Sequence, residues 1–235
     1  GWRSIDPEVK KSLDKHPRLG DIAIVKDVGF NYWTIGRGKT RGGSIADRIL
    51  YDGSKQNEED SPFLKGRDTE RYYSTFDSRW LRHNYEEFLD PKIDVFGYGS
   101  EFLLDGPKII YRQTADSIIA TIDDQNFLVD KTLHCVRVKT DSVKDFDLKY
   151  LLGILNSKLA THIYRDFAKE EGRLFAQVKI FVMKKLPIRR IDFNNPKEKK
   201  MHDDLVALVD KMLGLNNRLA PIRNVPFSES DELLR

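Results

Sequence analysis

The 235 residues carry 40 Lys and Arg against 37 Asp and Glu, a net charge of +3, with 40% hydrophobic residues and a single cysteine. This composition supports a sizeable core and excludes wholesale disorder, and any nucleic-acid surface must come from segregated charge rather than bulk excess. Cys135 alone excludes an internal disulfide framework and a multi-cysteine zinc site, and no apolar run approaches a membrane span. One cysteine fits a reducing, cytoplasmic compartment. The chain opens on Gly1 without a methionine, which suggests a piece of something longer, with Gly1 as a tag remnant.

In chain order, Pro7–His16 reads as a polar helix that Pro17 and Gly20 end. Asp21–Lys26 is a mostly buried strand. Gly36–Gly43, GRGKTRGG, is a flexible basic loop; Ser54–Ser61 is an acidic one, and Pro62 opens the next ordered unit. Trp80, Leu81, Tyr85, Phe88 and Leu89 sit near helical spacing, so a short helix is expected over Ser78–Leu89. A β-rich block follows at Lys108–Arg112, Ile118–Ile122, Phe127–Val129 and His134–Val138, with turn residues at Asp123–Asn126. Its short connections imply antiparallel pairing.

Leu148–Phe167 is expected as one strong helix, with Leu148, Leu151, Leu152, Leu155, Leu159 and Ile163 on one face. A basic loop, a short strand and a Leu186-Pro187 exit come next. Asn195 as cap, Pro196 at the first helical position and Glu198 in the reciprocal capping position start a second long helix. Along it Met201, Leu205, Leu208, Met212, Leu215 and Leu219 alternate spacings of four and three, a heptad seam that ends at Pro221. The expected fold class is α/β (mixed α+β): a twisted, largely antiparallel sheet with surrounding helices over residues 1–190. A C-terminal helix, as a coiled-coil-like or docking arm, occupies 191–235.

Catalytic motifs are weak. GRGKT at Gly36–Thr40 has Trp33 where a phosphate loop needs glycine. Glu8–Lys10 and Asp147–Lys149 have the local spelling of a metal-dependent nuclease, in which carboxylates hold the ion that activates water, but both read more simply as helix flanks. The Asn/Asp-Pro-Pro-aromatic loop of an amino-methylating DNA methyltransferase and its glycine-rich cofactor segment are both missing; Asn195-Pro196 is a helix start. His134 and Cys135 are adjacent on a strand and point to opposite faces, so a buried structural cysteine is the simpler reading. The five histidines show no metal-ligand spacing.

Recognition is better supplied. Pro62–Tyr73, PFLKGRDTERYY, interleaves Lys65, Arg67 and Arg71 with Tyr72 and Tyr73. Such cations neutralise phosphates, and arginine also reads guanine in bidentate fashion. Lys158, His162, Arg165 and Lys169 make a basic stripe beside the apolar helix face, the alternative being an ordinary solvated face. Arg173, Gln177, Lys179, Lys184 and Lys185 lie just downstream, and Gln177 is able to pair with adenine. Arg112-Gln113-Thr114 ends a strand with side chains suited to base edges, and Lys39 and Arg41 of the basic loop are further candidates. The seam at Leu205, Leu208, Met212, Leu215 and Leu219 packs either on its own domain or on a partner helix.

In this order the elements resemble the TaqI-like C-terminal specificity region of bifunctional restriction-modification enzymes and adenine-specific DNA methyltransferases, and more distantly type I specificity subunits. Pro62–Tyr73 matches the element that opens the recognition half, and Pro107–Arg112 with Ile118–Asp123 resembles its arginine-bearing strand pair. Leu151–Leu159 with Asn156-Ser157 matches the characteristic helix, and Phe175–Ile188 the Leu-Pro-Ile exit. The glycine- and threonine-rich opening is replaced by Asn31–Gly43. The resemblance implies a non-catalytic domain that positions double-stranded DNA for methyltransferase and endonuclease domains or subunits of a bacterial or archaeal system. S-adenosylmethionine and a divalent metal would then belong to those other parts. The alternatives are a self-contained metal-dependent nuclease using Glu8, Lys10 or Asp147, and a helix-mediated protein-interaction module.

Overall fold

The computed structural model describes residues 6–35, 43–98, 106–170 and 177–220. Helix α1 (Pro7–Leu13) starts on Asp6, whose carboxylate accepts from Glu8 N at 2.8 Å. One helical turn, α2 (Leu19–Ile22), leads into β1 (Ala23–Lys26), β2 (Phe30–Thr34), α3 (Gly43–Ile49) and β3 (Leu50–Asp52). Short strands β4 (Ser61–Leu64), β5 (Thr69–Glu70), β6 (Tyr73–Ser74), β7 (Arg79–Leu81) and β8 (Asp94–Tyr98) follow. The second half runs β9 (Lys108–Arg112), β10 (Ala120–Asp123), β11 (Leu128–Val129), β12 (Leu133–Val138), α4 (Leu148–Leu155), α5 (Lys158–Glu170), α6 (Ile180–Met183) and α7 (Pro196–Leu219).

The central sheet has the order β1-β12-β9-β10 and is antiparallel throughout. Strand alternation sends Ala23, Val25, Ile109, Tyr111 and Val136 to one face, where α4 to α7 cover them. Ile110, Leu133 and Cys135 go to the other face and meet Val28, Leu64 and Val129. Leu64 and Val129 belong to a second sheet, β11-β4-β7-β3, in which only β11 and β4 run parallel. Strands β2 and β8 form an antiparallel ribbon whose inner residues Tyr32 and Phe96 pack with Ile45 and Ile49 of α3. The mixed α/β class with largely antiparallel sheets and a long C-terminal helix is thus as expected.

Several expectations need correction. The single helix over Leu148–Phe167 is two helices. Asn156 leaves the helix and lays its amide against edge strand β10: Nδ2 donates to Ala120 O at 2.9 Å, and Oδ1 accepts from Ala120 N at 3.0 Å. An edge strand's free backbone groups are thereby satisfied. Ser157 then starts α5, its hydroxyl accepting from Ala160 N at 3.0 Å.

The helix expected at Ser78–Leu89 is strand β7 plus one 3-10 turn at Tyr85–Phe88. Pairing with β3 and β4 keeps it extended, and the buried Arg79 is fixed by Asp68 at 2.5 Å. The short strand before the Leu-Pro exit is instead the helical turn α6. A strand would send neighbours Val182 and Met183 to opposite faces, whereas the turn buries both in one core. Strands β2 to β6 and β8 have no counterpart among the strands expected from sequence.

Helix α7 is capped by Asn195, whose Oδ1 accepts from Lys197 N at 3.0 Å. Glu198 does not reach back to the cap; it accepts from Asp192 N and from Arg189, each at 3.0 Å. Leu205, Val206, Val209 and Leu213 of α7 pack on the helix-side core. Gly153 permits this crossing with α4, since a Cβ there would lie 2.9 Å from Leu205 and 3.0 Å from Val209. Of the other heptad positions, Leu208, Met212 and Leu219 are exposed and Leu215 is half-buried.

Candidate nucleic-acid interface

Where the ends of β2, β4, β9 and β11 converge, four turns enclose a cleft of about 580 Å³. Its lining includes Asn31 and Tyr32, Lys65 to Arg67, Arg112 to Thr114, Asp130 to Thr132, and Gln177. Backbone hydrogen bonds tie these turns together. Gln113 N donates to Thr132 O at 2.9 Å, while Gln113 O accepts from Val178 N at 2.6 Å. Gly66 N donates to the Thr132 hydroxyl at 2.6 Å, and Asp130 N donates to Leu64 O at 3.1 Å. Gly29 lets the β1–β2 turn approach this knot, because a Cβ at that position would stand 2.4 Å from the Asp130 carbonyl.

From this floor rise three cations, Lys65, Arg67 and Lys131, together with the amides of Asn31, Gln113 and Gln177 and the Thr114 hydroxyl. Arg67 and Lys131 are exposed, and Lys65 is half-buried with its ammonium 5.5 Å from the Phe63 ring centre. The one carboxylate in the lining, Asp130, is turned inward: Oδ1 accepts from Thr132 N at 2.9 Å and from the Thr132 hydroxyl. Burial raises its pKa against the opposing pull of those bonds. Cations and neutral amides around an inward-turned acid suit phosphate oxygens and base edges.

The structure brings together five of the sequence candidates, Lys65, Arg67, Arg112, Gln113 and Gln177, from three separate stretches. Arg112 is committed to its own domain: Nε donates to Thr69 O at 2.5 Å and Nη2 pairs with Glu70. Arg71 also acts as a brace, with Nε donating to Ile118 O at 3.2 Å, and Arg165 donates to Asp116 O. Tyr73 is half-buried in β6. Lys158 and Lys169 are exposed on α5, outside the cleft lining, and Lys179 stands two residues from Gln177. Lys39, Arg41 and Arg173 lie outside the described residues. Lys131 and Asn31 were missed; the polar Asp130-Lys131-Thr132 between two strands was the available signal for the first.

The chemistry-bearing alternatives are structurally engaged. Asp147 caps α4, accepting from Lys149 N at 2.7 Å and Tyr150 N at 3.1 Å, and Lys149 pairs with Asp210 at 2.6 Å. Burial pushes the Cys135 thiol up to about 12, which leaves it inert as a nucleophile at neutral pH. Among the described residues no three His, Cys, Asp or Glu side chains cluster to hold a metal, and no helix is long and apolar enough to cross a membrane.

A family model described as a TaqI-like C-terminal specificity domain matches residues 61–188, from β4 to just past α6, including most of the cleft. The chain belongs to that family. The specificity domain is 29% identical over 185 residues to a Methanocaldococcus jannaschii protein named as a candidate type II restriction enzyme and methyltransferase. The match takes in 75% of this chain and only 14% of the relative, so the chain spans a small part of that protein's length. Among solved structures, the HsdS subunit from Thermoanaerobacter tengcongensis aligns over 92% of this chain and 40% of that one, with 12% identity and a TM-score of 0.41. A chain from a study of assembly and conformational transition in the type I R-M system aligns over 93% of this chain and 42% of that one, with 11% identity and a TM-score of 0.38.

Proposed function

We propose that the specificity domain binds double-stranded DNA across the cleft and reads its sequence on behalf of methyltransferase and nuclease parts of the same restriction-modification system. The observation that carries this reading is the convergence of Lys65, Arg67, Lys131, Gln113 and Gln177 on one hydrogen-bonded floor, in a chain whose net charge is only +3. The cations neutralise phosphates and fix the register; the amides and hydroxyls beside them meet base edges. The target adenine is then presented to a methyltransferase that extrudes it from the duplex.

S-adenosylmethionine and a divalent metal are assigned to those other parts, in the cytoplasm of a bacterium or archaeon. The polar groups of the cleft's described residues are suited to binding and orienting DNA. The exposed side of α7, with Leu208, Met212 and Leu219, is a second candidate contact, toward a helix of the same system.

The test is selection of bound duplexes from a random pool, followed by titration at two salt concentrations. One enriched motif, with affinity that falls as salt rises, is the expected result. A Lys131→Ala variant is expected to lower the salt slope by about 1 without changing the motif. Absence of any binding at low salt overturns the reading.

A further inference from the structure

We propose that Gln177 and Lys179 form one donor element that reads guanine from the major groove; this deepens the DNA-recognition reading above and rests on it. The argument starts from backbone direction. Lys179 is extended, with φ −83° and ψ 136°. In extended chain the side chains two residues apart leave on the same side. Gln177 and Lys179 therefore stand next to each other, and the Lys179 ammonium donates to Gln177 Oε1.

That contact decides the chemistry of the amide. An ammonium has three donors and no acceptor, so the oxygen of the amide, not its nitrogen, must face it. The hydrogens on Nε2 are left to point elsewhere, with further donors on the ammonium beside them. An amide free to turn pairs with adenine by accepting from N6 while donating to N7. Here the adenine amino group would have to approach an oxygen already facing a positive charge. Guanine offers two adjacent acceptors, O6 and N7, on its major-groove edge. Two neighbouring donors with a positive charge complement guanine and disfavour adenine.

The segment is also held firmly enough to discriminate. Val178, between the two readers, is fully buried, and its N–H donates to Gln113 O at 2.6 Å. The Tyr164 hydroxyl donates to Gln177 O at 3.2 Å and accepts from Lys179 N at 2.7 Å. Gln177 itself is exposed and lines the cleft. An exposed reader on a backbone anchored from below is preorganised for one base edge.

The experiment uses the full chain and the duplex it selects. Each guanine is replaced in turn by 7-deazaguanine, which lacks the N7 acceptor, and binding is compared for wild type, Gln177→Leu and Lys179→Met. The expected result is a loss of about tenfold at one guanine in wild type. That penalty should vanish in Gln177→Leu and shrink in Lys179→Met, with preferences elsewhere in the motif and the circular dichroism spectrum unchanged. If the penalty persists in Gln177→Leu, if that variant relaxes the choice at an adenine instead, or if it weakens all positions alike, the guanine assignment is overturned while DNA reading stands. A wild-type chain that binds no preferred sequence overturns both.

Discussion

The helix-covered face of the central sheet is closed by side chains, whereas the cleft at the strand ends is closed mainly by backbone, with the Thr132 hydroxyl as its chief side-chain tie. On the first, Leu151, Leu152 and Leu155 of α4 and Val182, Met183 and Leu186 near the Leu-Pro exit interlock with Ile109, Tyr111 and Val136 of the strands. On the second, main-chain bonds among Gln113, Thr132, Val178, Asp130 and Leu64, joined by one from Gly66 N to the Thr132 hydroxyl, hold four turns together. Removing a side chain should therefore damage the first region through stability. In the second it should alter what is bound and leave the fold standing.

The largest effect is expected on the opposite face of the same sheet, at Lys108, which is fully buried and pairs with Asp123 at 2.6 Å. Lys108→Met is expected to cost about 3–5 kcal/mol, because it strands a buried carboxylate. Urea unfolding measures it, and Lys108→Met with Asp123→Leu should regain part of the loss. Next is Asn156→Ala, which leaves the buried Ala120 N–H without its acceptor and the Ala120 carbonyl with only the Tyr72 N–H. A loss of about 2–3 kcal/mol in the same assay is expected.

His134 sharpens the comparison with pH. Burial, aided by nearby Lys179, lowers its pKa from 6.5 to about 4. The unfolded chain takes up the proton first, so this residue's contribution to stability is intact above pH 6.5 and is lost progressively as pH falls toward 4. Thermal melts between those limits should show the decline, and His134→Leu should flatten it. Lys131→Glu is the smallest perturbation of the fold. Stability should stay within about 0.5 kcal/mol. DNA affinity should fall, and the dependence of log K on log salt should weaken by about 1–2.

The strands of the central sheet were legible because Lys108–Arg112 and Leu133–Val138 are strongly apolar and bounded by turn residues. The break at Asn156 was not, because nothing local forbids a helix there; the gain comes from Ala120, far along the chain. The β2–β8 ribbon escaped for a related reason, since Phe30–Thr34 alternates poorly and its partner lies more than fifty residues away. At the cleft, residue type revealed which side chains are able to touch DNA, but not which are already engaged. Arg112 and Arg71 have the same spelling as Arg67, and only the fold shows that they answer to Thr69, Glu70 and Ile118.

Gln113 serves the architecture through its amide N–H and carbonyl, and its side chain takes no part in that service. Any amino acid except proline can supply those two groups, so position 113 is insulated from the rest of the scaffold. Substitutions there can accumulate at little structural penalty, and under the proposed reading each one would change the chemistry offered to the groove. If Gln113 contacts bases as proposed, such a domain would acquire a new target by drift at one position, without first passing through an unstable ancestor.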